Sequence, residues 1–171
     1  MPTFTQIGTA QVVGSGGATD ITFTTIPNTY TDLVINYSVR GTDSSANLGF
    51  ILKFNSNTSG YIERTLFGNG SSALSNTPAT QPGILFNYMN GSTSTSSTFS
   101  NGSIYVPNYA SSSNKSVSSD SVTENNATAS IVMMTAGLWS NSAAITSITL
   151  TPAAGTLVQH STAYLYGVSN A

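Results

Sequence analysis

The chain has no cysteine and very little charge. It carries 4 Lys+Arg and 6 Asp+Glu in 171 residues, whereas an ordinary soluble domain is about 25 % charged. Without cysteine there are no disulfides, no thiol nucleophile and no cysteine-ligated zinc. Four basic residues at a formal net charge of −2 make no patch able to neutralise phosphates, so no nucleic-acid partner is expected. No stretch approaches the roughly 18 consecutive apolar residues of a membrane-spanning helix, so no membrane partner is expected either. The start, Met1-Pro2-Thr3-Phe4-Thr5, has neither a basic region nor an apolar run. It does not read as a secretory signal, and synthesis in a cytoplasm is the expectation.

Small neutral polar residues replace the missing charge: 28 Ser, 25 Thr and 16 Asn make up 69 positions. Disordered and prion-like chains share this bias. Here, however, 8 Tyr, 7 Phe and Trp139 fall in short apolar runs between the polar residues, which is the pattern of a folded chain of single-domain length.

Good helix formers are scarce, and Ser, Thr, Asn, Gly and β-branched residues disfavour helix interiors. Strand signals recur instead. Ile21 and Phe23 alternate with threonines, and Leu33, Ile35, Tyr37 and Val39 alternate with Val34, Asn36 and Ser38. Phe50, Leu52 and Phe54 form a third set, Ile84, Phe86 and Tyr88 a fourth, Ile104 and Val106 a fifth. Further runs lie at 116–122, 131–134, 145–150, 156–158 and 163–168. The phase slip between Ile145 and Ile148 predicts a β-bulge. Asn69-Gly70, Asn90-Gly91 and Asn101-Gly102 predict turns needing positive φ, and Pro27, Pro78, Pro82, Pro107 and Pro152 punctuate strand ends. Residues 68–83 and the low-complexity stretch 91–99 read as long loops. The latter is either a flexible surface loop or one ordered against a neighbouring subunit.

About eight to ten short strands spaced by turns predict an all-β fold, an antiparallel two-sheet β-sandwich of jelly-roll type. Residues 18–171 form the sandwich. Residues 1–17 are either an extended N-terminal arm or the first strand of the same sheet. In the first case Phe4, Ile7, Val12 and Val13 would add a strand to a neighbour and are the candidate contact residues. Gly14-Ser15-Gly16-Gly17 reads as a bend after Val12-Val13, lacking the lysine and helix of a phosphate loop.

Catalytic signatures are missing. The single histidine, His160, lies in a strand-like run, and no Gly-x-Ser-x-Gly elbow marks a nucleophile. Asp20, Asp32, Asp43, Glu63, Asp120 and Glu124 form no close acidic pair and no EF-hand loop, so neither a catalytic site nor a metal or other cofactor is expected. Asp43 with nearby carbonyls is the nearest approach to a calcium loop. Asp32, just before a strand, is placed to accept turn amides. The Asn-x-Ser/Thr triplets at Asn36, Asn57, Asn69 and Asn126 arise from composition alone. Tyr61, Tyr88, Tyr105, Tyr109 and Trp139 are candidates for a subunit interface or a glycan-stacking surface, with core packing the simpler role.

The run Phe23-Thr24-Thr25-Ile26-Pro27-Asn28-Thr29-Tyr30-Thr31-Asp32-Leu33 resembles a segment of virion structural proteins of tailed bacteriophages. So do Phe54-Asn55-Ser56-Asn57-Thr58, Ile104-Tyr105-Val106-Pro107-Asn108-Tyr109 and Asn114-Lys115-Ser116-Val117. The likeness continues through Val122-Thr123-Glu124-Asn125-Asn126-Ala127-Thr128, Ala136-Gly137-Leu138-Trp139, Ala144-Ile145-Thr146-Ser147-Ile148-Thr149-Leu150 and Tyr164-Leu165-Tyr166-Gly167-Val168. The resemblance implies a non-enzymatic protein on the virion surface, assembled in the host cytoplasm. It also implies a homotrimer. In one form this is a capsid decoration (cement) protein bound across the major capsid protein. In the other it is a tail-fibre or spike head contacting host polysaccharide. Asn57 stands where the resemblance leads one to expect an acid, so a cation site in that turn does not carry over. A sandwich pattern that is under way by Ile21 leaves little room for a fibre stalk in front of it and favours the cement form.

Overall fold

The computed structural model describes residues 1–77, 82–126 and 130–169. All regular structure among them is β, in 13 strands: β1 (Thr3–Gln6), β2 (Gln11–Val12), β3 (Ile21–Phe23), β4 (Asp32–Val39), β5 (Asn47–Phe54), β6 (Tyr61–Gly68), β7 (Ala73–Asn76), β8 (Ile84–Asn90), β9 (Ser100–Val106), β10 (Lys115–Val122), β11 (Val132–Trp139), β12 (Ile148–Pro152) and β13 (Thr162–Ser169). They form two antiparallel sheets. The wide sheet has nine strands in the order β1-β13-β4-β9-β10-β11-β6-β7, with β2 also paired to β13. The narrow sheet has four, in the order β3-β12-β5-β8.

Residues 1–17 belong to this chain's own wide sheet. β1 pairs with one half of β13, from Thr3↔Ser169 to Gln6↔Tyr166, and β2 with the other half through Thr162↔Val12. Gly17 N–H then bonds the Gly14 carbonyl at 3.1 Å, closing the glycine-rich bend.

The core lies between the sheets. Alternation in β4 turns Leu33, Ile35, Tyr37 and Val39 inward, and β5 supplies Phe50, Leu52 and Phe54. Tyr37 meets the Phe86 ring edge-on at 5.2 Å, and Phe50 lies 5.0 Å from Phe86. Under β11, Trp139 stacks on Tyr61 at 6.1 Å and touches Phe54 at 5.6 Å. Each such side chain contributes about 1.5–3 kcal/mol by leaving water.

Several sequence expectations are corrected. Asn101-Gly102 is not a turn but lies inside β9, because a side chain at 102 would collide with Tyr37 and the Asp120 carbonyl. Ile145 precedes β12, which alternates regularly from Ile148, so the apparent slip marks a strand start. The register irregularity instead falls between Phe50 and Ile51, opposite β8. It moves Tyr88 off the core side, and Met89 takes the buried position. Residues 68–83 contain a strand, β7, paired to β6 after an Asn69-Gly70 turn, while 78–81 lie outside the described residues. Residues 156–158 form isolated bridges from Leu157 to Ala18 and Gly41, not a strand. His160 is exposed in a turn at φ 72°, not in a strand.

The wide sheet overhangs the narrow one. β8 is the outer strand of the narrow sheet and packs under β10, β11 and β6. An open edge exposes unpaired backbone groups that need partners when buried. The overhanging strands supply them. Ser119 and Ser121 hydroxyls donate to the Phe86 carbonyl at 3.2 and 3.4 Å, and the Thr135 hydroxyl donates to the Leu85 carbonyl at 3.4 Å. The Glu63 carboxylate accepts from the Leu85 amide. Two buried serines, one threonine and one glutamate therefore close a sheet edge.

Candidate docking face

The inner and outer faces of the overhang invert the usual pattern. In β6, Tyr61, Glu63 and Thr65 point in, while Ile62, Arg64 and Leu66 point out. In β11, Met133, Thr135, Gly137 and Trp139 point in, and Val132, Met134 and Ala136 point out. The register aligns Met134 with Leu66 on one side and Asp120 on the other, and Ala136 with Arg64 and Ser118. The outer face therefore carries a contiguous aliphatic strip: Met134 is 61 % exposed, Val132 57 %, Leu66 53 % and Ile62 47 %. Val122 extends it onto β10.

The strip is not flat. A groove of about 450 Å³ runs between Leu66, Met134, Ala136 and Ser118 and reaches Ser75 of β7. Neighbouring hollows of about 330 Å³ beside Ile62 and Leu138, and about 210 Å³ beside Val132 and Ala73, continue it. Small residues thus sit beside protruding large ones. An exposed contiguous apolar area of this kind marks a contact surface.

Among the described residues the strands of this face present Arg64 on β6 and Asp120 on β10, separated by β11, and Glu124 borders the hollow beside Val122 and Val132. Arg64 donates to the Glu63 carbonyl at 2.9 Å and forms no ion pair among the described residues. Beneath it, burial pushes the Glu63 carboxyl above its ordinary pKa, and Glu63 Oε1 has no hydrogen-bond partner among the described residues.

The residues singled out from sequence lie elsewhere. Tyr61, Tyr109 and Trp139 are core side chains and cannot form a surface. Tyr88 is half-buried against Phe67, with ring centroids 6.3 Å apart. Tyr105 is exposed on the other half of the wide sheet. Its phenol donates to Asp32 at 2.9 Å, and that bond holds the hydroxyl protonated above the usual tyrosine range. Asp32 also accepts the Asn108 amide at 2.9 Å, as a turn-binding carboxylate. Val13 is core and Ile7 packs against it, whereas Phe4 and Val12 are exposed at the β13 edge.

The Ser45 hydroxyl and, at 2.8 Å, the Ser45 amide donate to Asp43 and hold its carboxyl below the usual range, and among the described residues no three His, Cys, Asp or Glu side chains cluster as metal ligands. Asn55, at φ 52°, accepts the Thr146 and Ser147 amides with its side-chain oxygen and so ties the β5 exit to the β12 entry.

Residues 91–99 are not a free loop. Arg40 is buried, and its guanidinium donates to the carbonyls of Ser94, Thr95 and Thr98 at 2.8–3.0 Å. Ser94 and Thr93 hydroxyls reach back to the Ala46 and Ser44 carbonyls. A serine- and threonine-rich stretch folds here because one buried cation collects its carbonyls.

No protein family, curated protein or solved structure matches the chain.

Proposed function

We propose that this chain is a virion structural protein, a jelly-roll capsid decoration protein that acts by binding alone as a trimer on the major capsid protein. The observation that carries the proposal is the bare aliphatic face of the overhang, a surface built for contact in a chain with only 6 % charge. In a dense array of identical copies, charges repel at each contact and make assembly salt-sensitive, whereas hydroxyls and amides do not.

Strand order supports the jelly-roll reading. Without β6, β7, β10 and β11, the wide sheet runs β1-β13-β4-β9 and the narrow one β3-β12-β5-β8. With β1 and β2 taken as one interrupted strand, these are in chain order the eight strands of two interleaved Greek keys, the chain changing sheet at each step except from β5 to β8. The β6–β7 and β10–β11 hairpins then read as insertions that widen one sheet. Binding only the assembled shell would stabilise it by mass action.

Densitometry of virions encoding this chain tests the proposal. Copies on the order of hundreds, as a symmetric shell requires, are expected. A few tens or fewer would overturn it.

One observation favours the second reading, a fibre or spike head that binds host polysaccharide. Register places Tyr166, Val34 and Tyr105 in a row across β13, β4 and β9, next to the row Tyr164, Asn36 and Ser103. Sugar rings stack on such aromatic faces. Binding of the chain to host surface polysaccharide, lost in Tyr105→Ala, would favour that reading.

A further inference from the structure

We infer that the outer face of β10, β11 and β6 is the surface on which a second copy of this chain docks. The inference rests on the face and not on the virion: a face that docks on its own copy makes a twofold pair, a contact distinct from those within the trimer of the proposed function.

Three features select a copy of the same chain over an unrelated partner. First, the face carries both signs of charge. Arg64 and Asp120 lie on opposite sides of β11 and form no ion pair among the described residues, and Glu124 borders the hollow beside Val122 and Val132. A partner with a single-signed surface would leave one of them buried and uncompensated, which is strongly unfavourable. A second copy offers an acid for the arginine and an arginine for the acid.

Second, the relief supplies both halves of a packed contact. Leu66, Met134 and Ile62 protrude beside a groove bordered by Ala136, Ser118 and Ser75. The protruding side chains of one copy have small-residue hollows to enter on the other, which is the interdigitation that packed sheet faces require.

Third, the face ends at β7, an outer strand with all four residues exposed. Ala73-Leu74-Ser75-Asn76 has no charge and no proline, the devices that keep outer strands apart. Copies are therefore not held away at the margin of the patch.

The test is the mass of the full chain in solution across a micromolar concentration series, by sedimentation velocity and light scattering. The variants are Met134→Asp, Arg64→Asp, Asp120→Arg and the double reversal R64D/D120R. All of these side chains point outward, and thermal melts confirm that each variant folds. The wild type is expected to associate and Met134→Asp to be monomeric. Each single charge reversal should weaken association about tenfold or more, and the double reversal should restore it.

A wild type that stays monomeric throughout, a Met134→Asp variant that associates like the wild type, or a double reversal no better than the singles would each overturn the assignment. If Met134→Asp does not fold, the charge cycle decides alone. A monomeric chain present in high copy on virions would remove this face and leave the virion proposal standing. An associating chain absent from virions would do the reverse.

Discussion

The Ser119 hydroxyl donates to the Phe86 carbonyl at 3.2 Å, joining the inner face of the wide sheet to the open edge of the narrow one. Ser121 and Thr135 repeat the contact along β8. The hydroxyl-rich composition is therefore not only a coat. Part of it is buried, where it replaces the strand that β8 lacks. Ser119→Ala leaves the Phe86 carbonyl dependent on Ser121. Loss of both hydroxyls in S119A/S121A is expected to cost about 1–3 kcal/mol, the penalty of an unsatisfied buried acceptor. Urea unfolding measures it. An unchanged midpoint would show that the edge needs no cover.

Glu63 takes part in the same edge closure and gives it a pH dependence. Burial raises its carboxyl pKa above the model-peptide value of 4.5. The folded chain then holds the proton more tightly than the unfolded one. The resulting stability is fully present below the unfolded value and is lost as pH rises through the folded value. Glu63→Gln keeps a neutral acceptor for the Leu85 amide and removes the titration. The variant should match the wild type at acid pH and exceed it in urea midpoint at neutral pH. Parallel pH profiles for the two proteins would contradict this.

Arg40 holds residues 91–99 through three backbone carbonyls. Arg40→Met keeps much of the side-chain volume and removes every donor. Hydrogen bonds to a charged group contribute about 1.5–3 kcal/mol each, and the loss leaves buried acceptors behind. The expected result is a destabilisation of several kcal/mol with new proteolytic cleavage inside 91–99. Arg40→Lys should recover only part of it, since an ammonium lacks the planar fork.

Gly102 illustrates why a two-residue signal misleads. An added Cβ would collide with the Tyr37 hydroxyl and the Asp120 carbonyl. The glycine serves close approach across the sheet, not positive φ. Gly102→Ala should cost about 1–3 kcal/mol as an overpacking change, or more, because one obstacle is backbone. A thermal melt unchanged from the wild type would refute the contact.

Residues 1–17 were open to two readings by sequence, and pairing to β13 distinguishes them physically. Val13 is in the core and β1 covers an outer strand. Truncation to residue 18 should therefore lower the melting temperature and promote aggregation through the uncovered β13 edge. A truncated chain as stable as the whole would indicate an arm that contributes nothing to its own sheet.

β4, β5 and β13 were legible because one face of each is apolar, and β9 through Ile104 and Val106; β10 also falls on a run visible in the sequence, although its inner face holds Lys115, Ser119 and Ser121 beside Val117. β6 was not legible. Its inward residues include Glu63 and Thr65 and its outward ones Ile62 and Leu66, so the usual assignment of polar to outside fails. That inversion also hid the docking face. The aromatic residues drew attention instead, yet Tyr61, Tyr109 and Trp139 are where large rings belong in a sandwich, between the sheets. The usable signal was the run Val132-Met133-Met134, apolar on both faces of one strand, which a strand with one side in water does not need.

The most direct measurement is an electron cryo-microscopy reconstruction of virions that encode this chain. The account predicts density for the sandwich at symmetric positions on the shell, with the β10-β11-β6 face buried in a contact between copies. Sandwich density confined to the tail, or shell-bound copies with that face open to solvent, would contradict it.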